Sequence, residues 1–230
     1  MTFVSECVLA ELIQESDTIY IHSDTLRILP DTIDDQKMIF AYHGVRIFNT
    51  QIQARCDSLS FIETADLMTL YSSPIIWSEN AELKGDSMQI HLKDSLIDHI
   101  DIYDNASVIM ELDSGTFYNQ ISGKDIIALM KKGKLVQTDV YGSATSIYFP
   151  EDEEQTDSLL TIKRMGLNKL EASTLTVHLD SGEVTGITYR TQPTGVFYPM
   201  DQINIKDKWI KNFKWNPMLR PKDFSTLDND

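Results

Sequence analysis

The chain has 230 residues, with 20 Lys and Arg against 35 Asp and Glu, a formal charge of −15. So few basic groups exclude a protein that grips nucleic-acid phosphates. Hydrophobic residues at 42% and aromatics at 9% supply a real core and exclude wholesale disorder, and no apolar run approaches the roughly 18 residues of a membrane-spanning helix.

At the N-terminus, Met1–Ala10 carries Glu6 and no basic stretch, and Glu11 follows, so it is no signal peptide. Residues 1–16 read as the incomplete first strand of a fragment. From Asp17 to Pro199 the chain is cut by turn-like clusters, among them Asn49–Thr50, Ser72–Pro74, Asp104–Asn105, Asp113–Gly115 and Asp180–Gly182. The runs between them are rich in Ile, Val, Thr, Tyr and Phe, the composition of strands. Only Lys124–Lys132 and Lys206–Phe213 could be read as single helical turns.

The runs repeat. Ser23-Asp24-Thr25-Leu26, Cys56-Asp57-Ser58-Leu59, Gly85-Asp86-Ser87-Met88, Gly123-Lys124-Asp125-Ile126 and Ala172-Ser173-Thr174-Leu175 each place a small residue and two polar ones before an aliphatic. Their successive spacings are 33, 29, 38 and 49 residues, so the unit is about 30 residues, with longer insertions late in the chain. Between the copies lie four segments that align on Tyr42, Tyr71, Tyr103 and Tyr141. Their alternate positions form one apolar face: Ile39, Ala41, Val45 and Ile47; Met68, Leu70 and Ile76; Ile100, Ile102, Ala106, Val108 and Met110; Val140, Ala144 and Tyr148. A period of two is the signature of a sheet with one apolar face. His43, Ser72, Asp104 and Gly142 interrupt that face at one place in each segment, which predicts a bend or bulge there. The fold class expected is all-β, an elongated jelly-roll or half-open sandwich of about five imperfect repeats, each too small to bury its apolar face alone.

The openings, with Ser95–Ala106, Ser73-Pro74-Ile75-Ile76-Trp77-Ser78 and Phe117–Lys124, resemble the OstA-like family. These are the organic-solvent-tolerance proteins related to the periplasmic lipopolysaccharide-transport protein of Gram-negative bacteria. The resemblance covers Asp17 to Pro199. It implies a twisted β-jelly-roll whose apolar trough holds the acyl chains of lipopolysaccharide or lipid A. It also implies partners joined edge to edge, either other transport-bridge proteins or further copies, and a periplasmic location, with an export signal removed or lying upstream. The fifteen alternating residues above would then line the trough. Two features depart from the pattern: the chain starts inside it without an export signal, and its acidity leaves only acyl chains, not anionic headgroups, to meet the trough. On the residues alone, the same apolar face can be filled by its own side chains, as in any sandwich. The alternative function is then a structural repeat scaffold that binds protein through open sheet edges.

Chemistry is sparse. The five histidines lack HxH, HExxH or Cys/His spacing, so no metal and no cofactor is expected. His99 and Asp101 would share one strand face beside Tyr103, a conceivable acid/base cluster or a plain solvated surface. No GxSxG, GxxxxGK or GxGxxG occurs, and no enzyme is expected; glycan hydrolysis by paired Asp residues is a remote third reading. Cys7 and Cys56 could pair or remain separate thiols. The acidic run Glu151, Asp152, Glu153, Glu154 and Asp157 marks residues 151–158 as an insertion, without the ordered ligands of a calcium loop. Residues 200–230 form a last segment in which Lys206, Lys208, Lys211, Lys214, Arg220 and Lys222 interleave with Trp209, Phe213 and Trp215 before Asp228–Asp230. It reads as a cap over the end of the stack or as a surface for anionic headgroups.

Overall fold

The computed structural model describes residues 3–13, 18–30, 37–94, 96–156, 159–223 and 227. Asp17, Asp157 and the Asp228–Asp230 tail lie outside them. The chain opens with four long strands, β1 (Phe3–Ile13), β2 (Thr18–Pro30), β3 (Lys37–Phe48) and β4 (Ile52–Ile62). Eight shorter strands follow: β5 (Leu67–Tyr71), β6 (Ile75–Ser78), β7 (Ala81–Lys84), β8 (Ser87–Lys93), β9 (Leu96–Tyr103), β10 (Ala106–Leu112), β11 (Phe117–Gly123) and β12 (Asp125–Lys131). Then come β13 (Lys134–Tyr148), the hairpin of β14 (Glu151–Thr156) and β15 (Leu159–Arg164), β16 (Gly166–Asp180), β17 (Glu183–Arg190) and β18 (Thr194–Pro199). The acidic run thus supplies β14, paired with β15 apart from the main sheet. Among the described residues there is no α-helix, only short 3-10 turns, and so no helix long and apolar enough to cross a membrane.

Sixteen strands form one continuous antiparallel sheet, folded over on itself into two layers. The long strands belong to both. In the first layer the C-terminal half of β2, the N-terminal half of β3 and the C-terminal half of β4 lead through β5, β8, β9 and β12 to the first half of β13, the second half of β16, and β17. In the second layer the remaining halves lead through β6, β7, β10 and β11 to β18. The chain climbs one layer, turns a corner, climbs the other, and returns through a hairpin.

The predicted interruptions are these corners. Paired left-handed residues sit at Ser72–Ser73, Asp104–Asn105 and Gly142–Ser143, with φ between 48° and 75°, and Gly44 has φ 60° beside His43. A further pair, Thr191–Gln192, turns β17 into β18. The repeat openings are the return corners. Their first residue must be small because the next strand presses on it: a Cβ on Gly85 would meet Ile102 Cγ2 at 2.4 Å, and one on Gly123 would meet Val140 Cγ1 at 2.4 Å. The following amide N–H is shared between two carbonyls, Asp86 with Tyr103 and Asp104 at 3.0 Å, Lys124 with Tyr141 and Gly142 at 2.9 Å. All these corners lie on one margin of the molecule, and the hairpins lie on the other.

Register explains the tyrosine alignment. Thr25, Tyr42, Ser58, Tyr71, Ser87 and Tyr103 are direct neighbours from strand to strand, and Tyr141 stands opposite Asp125 and Thr174. The four tyrosines are exposed on the outer face of the first layer. Lys124–Lys132, open to reading as a helical turn, is strand β12 and its flanks, because Ile126, Ala128 and Met130 alternate into the core. Ile205–Lys208 does make a 3-10 turn.

The segment after β18 runs back over the outer face of the second layer rather than across the end of the stack. Ile210, Phe213 and Trp215 pack with Ile109, Ile147, Phe149, Leu167 and Tyr118 there. Gln120 on β11 donates to Lys208 O and accepts from Ile210 N–H. Farther along, Arg220 donates to Gln53 Oε1 and Glu79 O, and Arg46 donates to Leu227 O. The anchor is Glu82, fully buried, which accepts from Trp77 Nε1 and from Asn216 N and Nδ2, each at 2.9 Å, and pairs with Lys84 Nζ at 2.6 Å.

Candidate functional site

The pleat puts alternate side chains between the layers, where facing positions form rungs that run from strand to strand. One rung of the first layer reads Leu26, Ala41, Leu59, Leu70, Met88, Ile102, Ile126, Val140, Leu175. The next reads Ile28, Ile39, Phe61, Met68, Ile90, Ile100, Ala128, Thr138, Val177, Ile187. The second layer answers with Ile21, Ile47, Ala54, Ile76, Leu83, Val108, Ile121, Ser146.

All fifteen residues of the predicted apolar face point inward. Ile39, Ala41, Val45, Ile47, Met68, Leu70, Ile76, Ile100, Ile102, Ala106, Val108, Met110, Val140 and Ala144 are buried, none more than 6% exposed, and Tyr148 is half-buried. These side chains pack against one another in one core. Toward the C-terminal end β13 contributes Thr138 and Ser146 to rungs that are otherwise apolar, and an apolar cavity of about 40 Å³ lies between the layers there. Val108, Met110, Ile121 and Ile147 of the second layer line it, with Leu135, Val177, Leu179, Val184 and Ile187 of the first. At roughly 10–15 Å³ for each water-sized sphere, this holds about three, too little for a whole acyl chain in this conformation.

The polar atoms around the cavity differ in satisfaction. Ser146 Oγ and Tyr189 Oη are 2.8 Å apart, a hydrogen bond that ties the second layer to the first. Burial holds the Tyr189 phenol above its ordinary range against the lowering effect of that bond. Thr138 Oγ1 is fully buried and has no hydrogen-bond partner among the described residues, a deficit worth about 1–3 kcal/mol.

Beside the cavity on the hairpin margin lies a polar vestibule of about 610 Å³, and Met110, Asn119, Tyr148 and Val184 line both. Glu79, Glu111, Asp113, Glu151 and Glu183 line the vestibule with Arg164. The guanidinium is already engaged, with Asp113 Oδ2 and Glu151 Oε1 each at 2.7 Å. Its hydrogen bond holds the Asp113 carboxyl below the usual carboxylate range. Elsewhere on the margin the hairpins meet: Lys134 Nζ lies 3.0 Å from Glu79 Oε1, and Ser78 Oγ donates to Gly133 O.

Thr138, Ser146, Ile121, Val177, Val184 and Ile187 were not among the predicted lining residues. Stepping back by two from Val140 points to Thr138, but its polar type conceals an inward position. Cys56 is a buried free thiol that donates to Ser58 O, and burial pushes it up to about 12. The predicted His99, Asp101 and Tyr103 group assembles on the outer face of the first layer, away from the cavity, and His91 joins it.

No family model matches the chain, and no curated protein matches it. Among solved structures, the chain is similar to LptH of Pseudomonas aeruginosa, described as the LptA-homologous periplasmic component of the conserved lipopolysaccharide transport device. The identity is 10% and the TM-score 0.47, over 64% of this chain and 95% of that one.

Proposed function

We propose that the protein is a non-enzymatic lipid-binding bridge module of lipopolysaccharide transport and outer-membrane assembly in the Gram-negative periplasm. It takes acyl chains between its layers and joins neighbouring modules edge to edge. The observation that carries this reading is the apolar cavity at the C-terminal end, with the unpartnered Thr138 hydroxyl in its wall. An acyl chain gains about 0.8 kcal/mol per buried CH₂ without directional chemistry. The chain tip fits the cavity as it stands, and deeper entry requires the layers to part on the hairpin margin. The vestibule carboxylates repel a bare phosphate, so the headgroup stays outside.

The edges support the bridge. Among the described residues β1 pairs only with β2, and β17 and β18 only with β16. Val196 and Phe197 on β18 are half exposed, an apolar edge that a further strand would cover. Joining the last edges of one molecule to the first edge of the next is a head-to-tail contact, which grows chains.

The test is binding of lipid A, with and without magnesium, to the parent and to Val184→Asp, whose position at the mouth is only half-buried. Saturable binding by the parent, lost in a variant with an unchanged circular dichroism spectrum, is expected. Equal binding by both would remove the cavity from the account. The second reading, a scaffold with a filled core, is favoured by the complete burial of most of the apolar face. It predicts concentration-dependent end-to-end oligomers and no lipid binding by either form.

A further inference from the structure

On the outer face of the first layer, β8 and β9 bring three ligand-bearing side chains together. His91 and His99 are direct cross-strand partners, and their rings stack with centroids 4.1 Å apart and planes within 10°. Asp101, two residues along β9, places Oδ2 at 3.1 Å from His91 Nε2 and 4.0 Å from His99 Nε2. The ligand atoms of the three residues all lie within 4.8 Å of one another. All three are half-buried, and the positions paired with the histidines on the flanking strands are Leu67 on β5 and Leu129 on β12.

We infer that His91, His99 and Asp101 form a site for a divalent transition metal ion of the zinc type. Three observations carry it. The ligand set, two imidazoles and one carboxylate, suits a borderline cation and leaves a coordination position for water. The spacing is close to it: tetrahedral zinc with bonds of about 2.0–2.1 Å holds its ligand atoms roughly 3.3 Å apart, the two nitrogen-to-oxygen distances fall on either side of that, and one of the stacked rings turns on binding so that both in-plane lone pairs meet the ion. The surroundings are those of metal ligands. Asp98 Oδ2 lies 2.7 Å from His99 Nδ1, and by accepting that N–H it leaves the Nε2 lone pair for the metal. Tyr103 Oη shares its one proton between Gln89 Oε1 at 3.0 Å and Asp101 Oδ2 at 3.3 Å, which helps to orient the carboxylate. Seven residues separate the histidines in sequence, a distance that matches none of the short metal-binding spacings. Only the hairpin register unites them. A bound ion would staple β8 to β9 beside the bulge at His91–Leu92.

The experiment is zinc titration of the metal-stripped 230-residue chain by calorimetry, repeated with cobalt(II) to read the visible absorption of a tetrahedral nitrogen and oxygen site. One zinc per chain is expected, with a raised melting temperature. His91→Ala and His99→Ala should abolish binding. Asp98→Asn should weaken it by roughly 10–100-fold, as loss of an outer-shell carboxylate does. His178→Ala, at an exposed position on β16, should change nothing. Absence of binding by the parent would overturn the site, as would zinc retained by both histidine variants. The cobalt spectrum decides the matter on the unsubstituted protein, should a variant misfold.

Discussion

Gly85 and Gly123 stand at return corners with ordinary backbone angles, so what requires glycine there is space, not conformational freedom. A methyl group on Gly123 would press on Val140 Cγ1 and come within 3.0 Å of Tyr141 O, and neither a β-branched side chain nor a backbone carbonyl in the ladder can step aside. Gly123→Ala should therefore cost about 1–3 kcal/mol, the usual penalty of overpacking. Gly186, with nothing within 4 Å of its would-be Cβ, should accept alanine within about 0.5 kcal/mol. Urea unfolding of the two variants checks the contrast, and equal losses would mean that the corner relaxes. The other openings meet the same demand with Ser23, Cys56 and Ala172, all buried or nearly so. At Cys56 burial keeps the thiol protonated, so it serves as a small apolar filler that caps Ser58 O.

Among the elements, the strands were legible in the sequence because their period of two is set by the pleat, which local residues record directly. The inward set from Ile39 to Ala144, the tyrosine alignment and the interruptions all follow from it, since a shift of one residue would turn every side chain to the wrong face. Three features were not legible. Lys124–Lys132 carries charges at both ends that mask the alternation of Ile126, Ala128 and Met130. The cavity arises from two polar residues, Thr138 and Ser146, in inward positions. The path of the last segment depends on partners more than 80 residues away in the chain, such as Gln120 and Glu82. That segment yields its own prediction. Glu82→Ala leaves Trp77 Nε1, Lys84 and the Asn216 donors without their shared carboxylate, a loss of about 3 kcal/mol for a broken buried ionic group. Limited proteolysis should then cut between Trp209 and Lys222 faster than in the parent. A strap still protected in the variant would show that Ile210, Phe213 and Trp215 hold it unaided.

For the molecule as a whole, the placement of all corners on one margin has a consequence for length. Each repeat adds two strands to each layer and enters and leaves at the same kind of corner, so the body is a ruler with interchangeable divisions. The exposed tyrosines are its marks, set two strands apart, about 9.6 Å at the ordinary strand spacing. Removing residues 86–123 would join Gly85 to Lys124, one return corner to another. It would let β5 meet β12 and β7 meet β13 in the antiparallel sense they already use. Such a shortened chain should fold with its corners intact and measure roughly 10 Å less along the stack, a difference that small-angle scattering resolves. An unfolded product would mean that the divisions are not equivalent. If they are, the reach of such a protein is set by the number of its repeats, and a span can be lengthened or trimmed without redesigning either end.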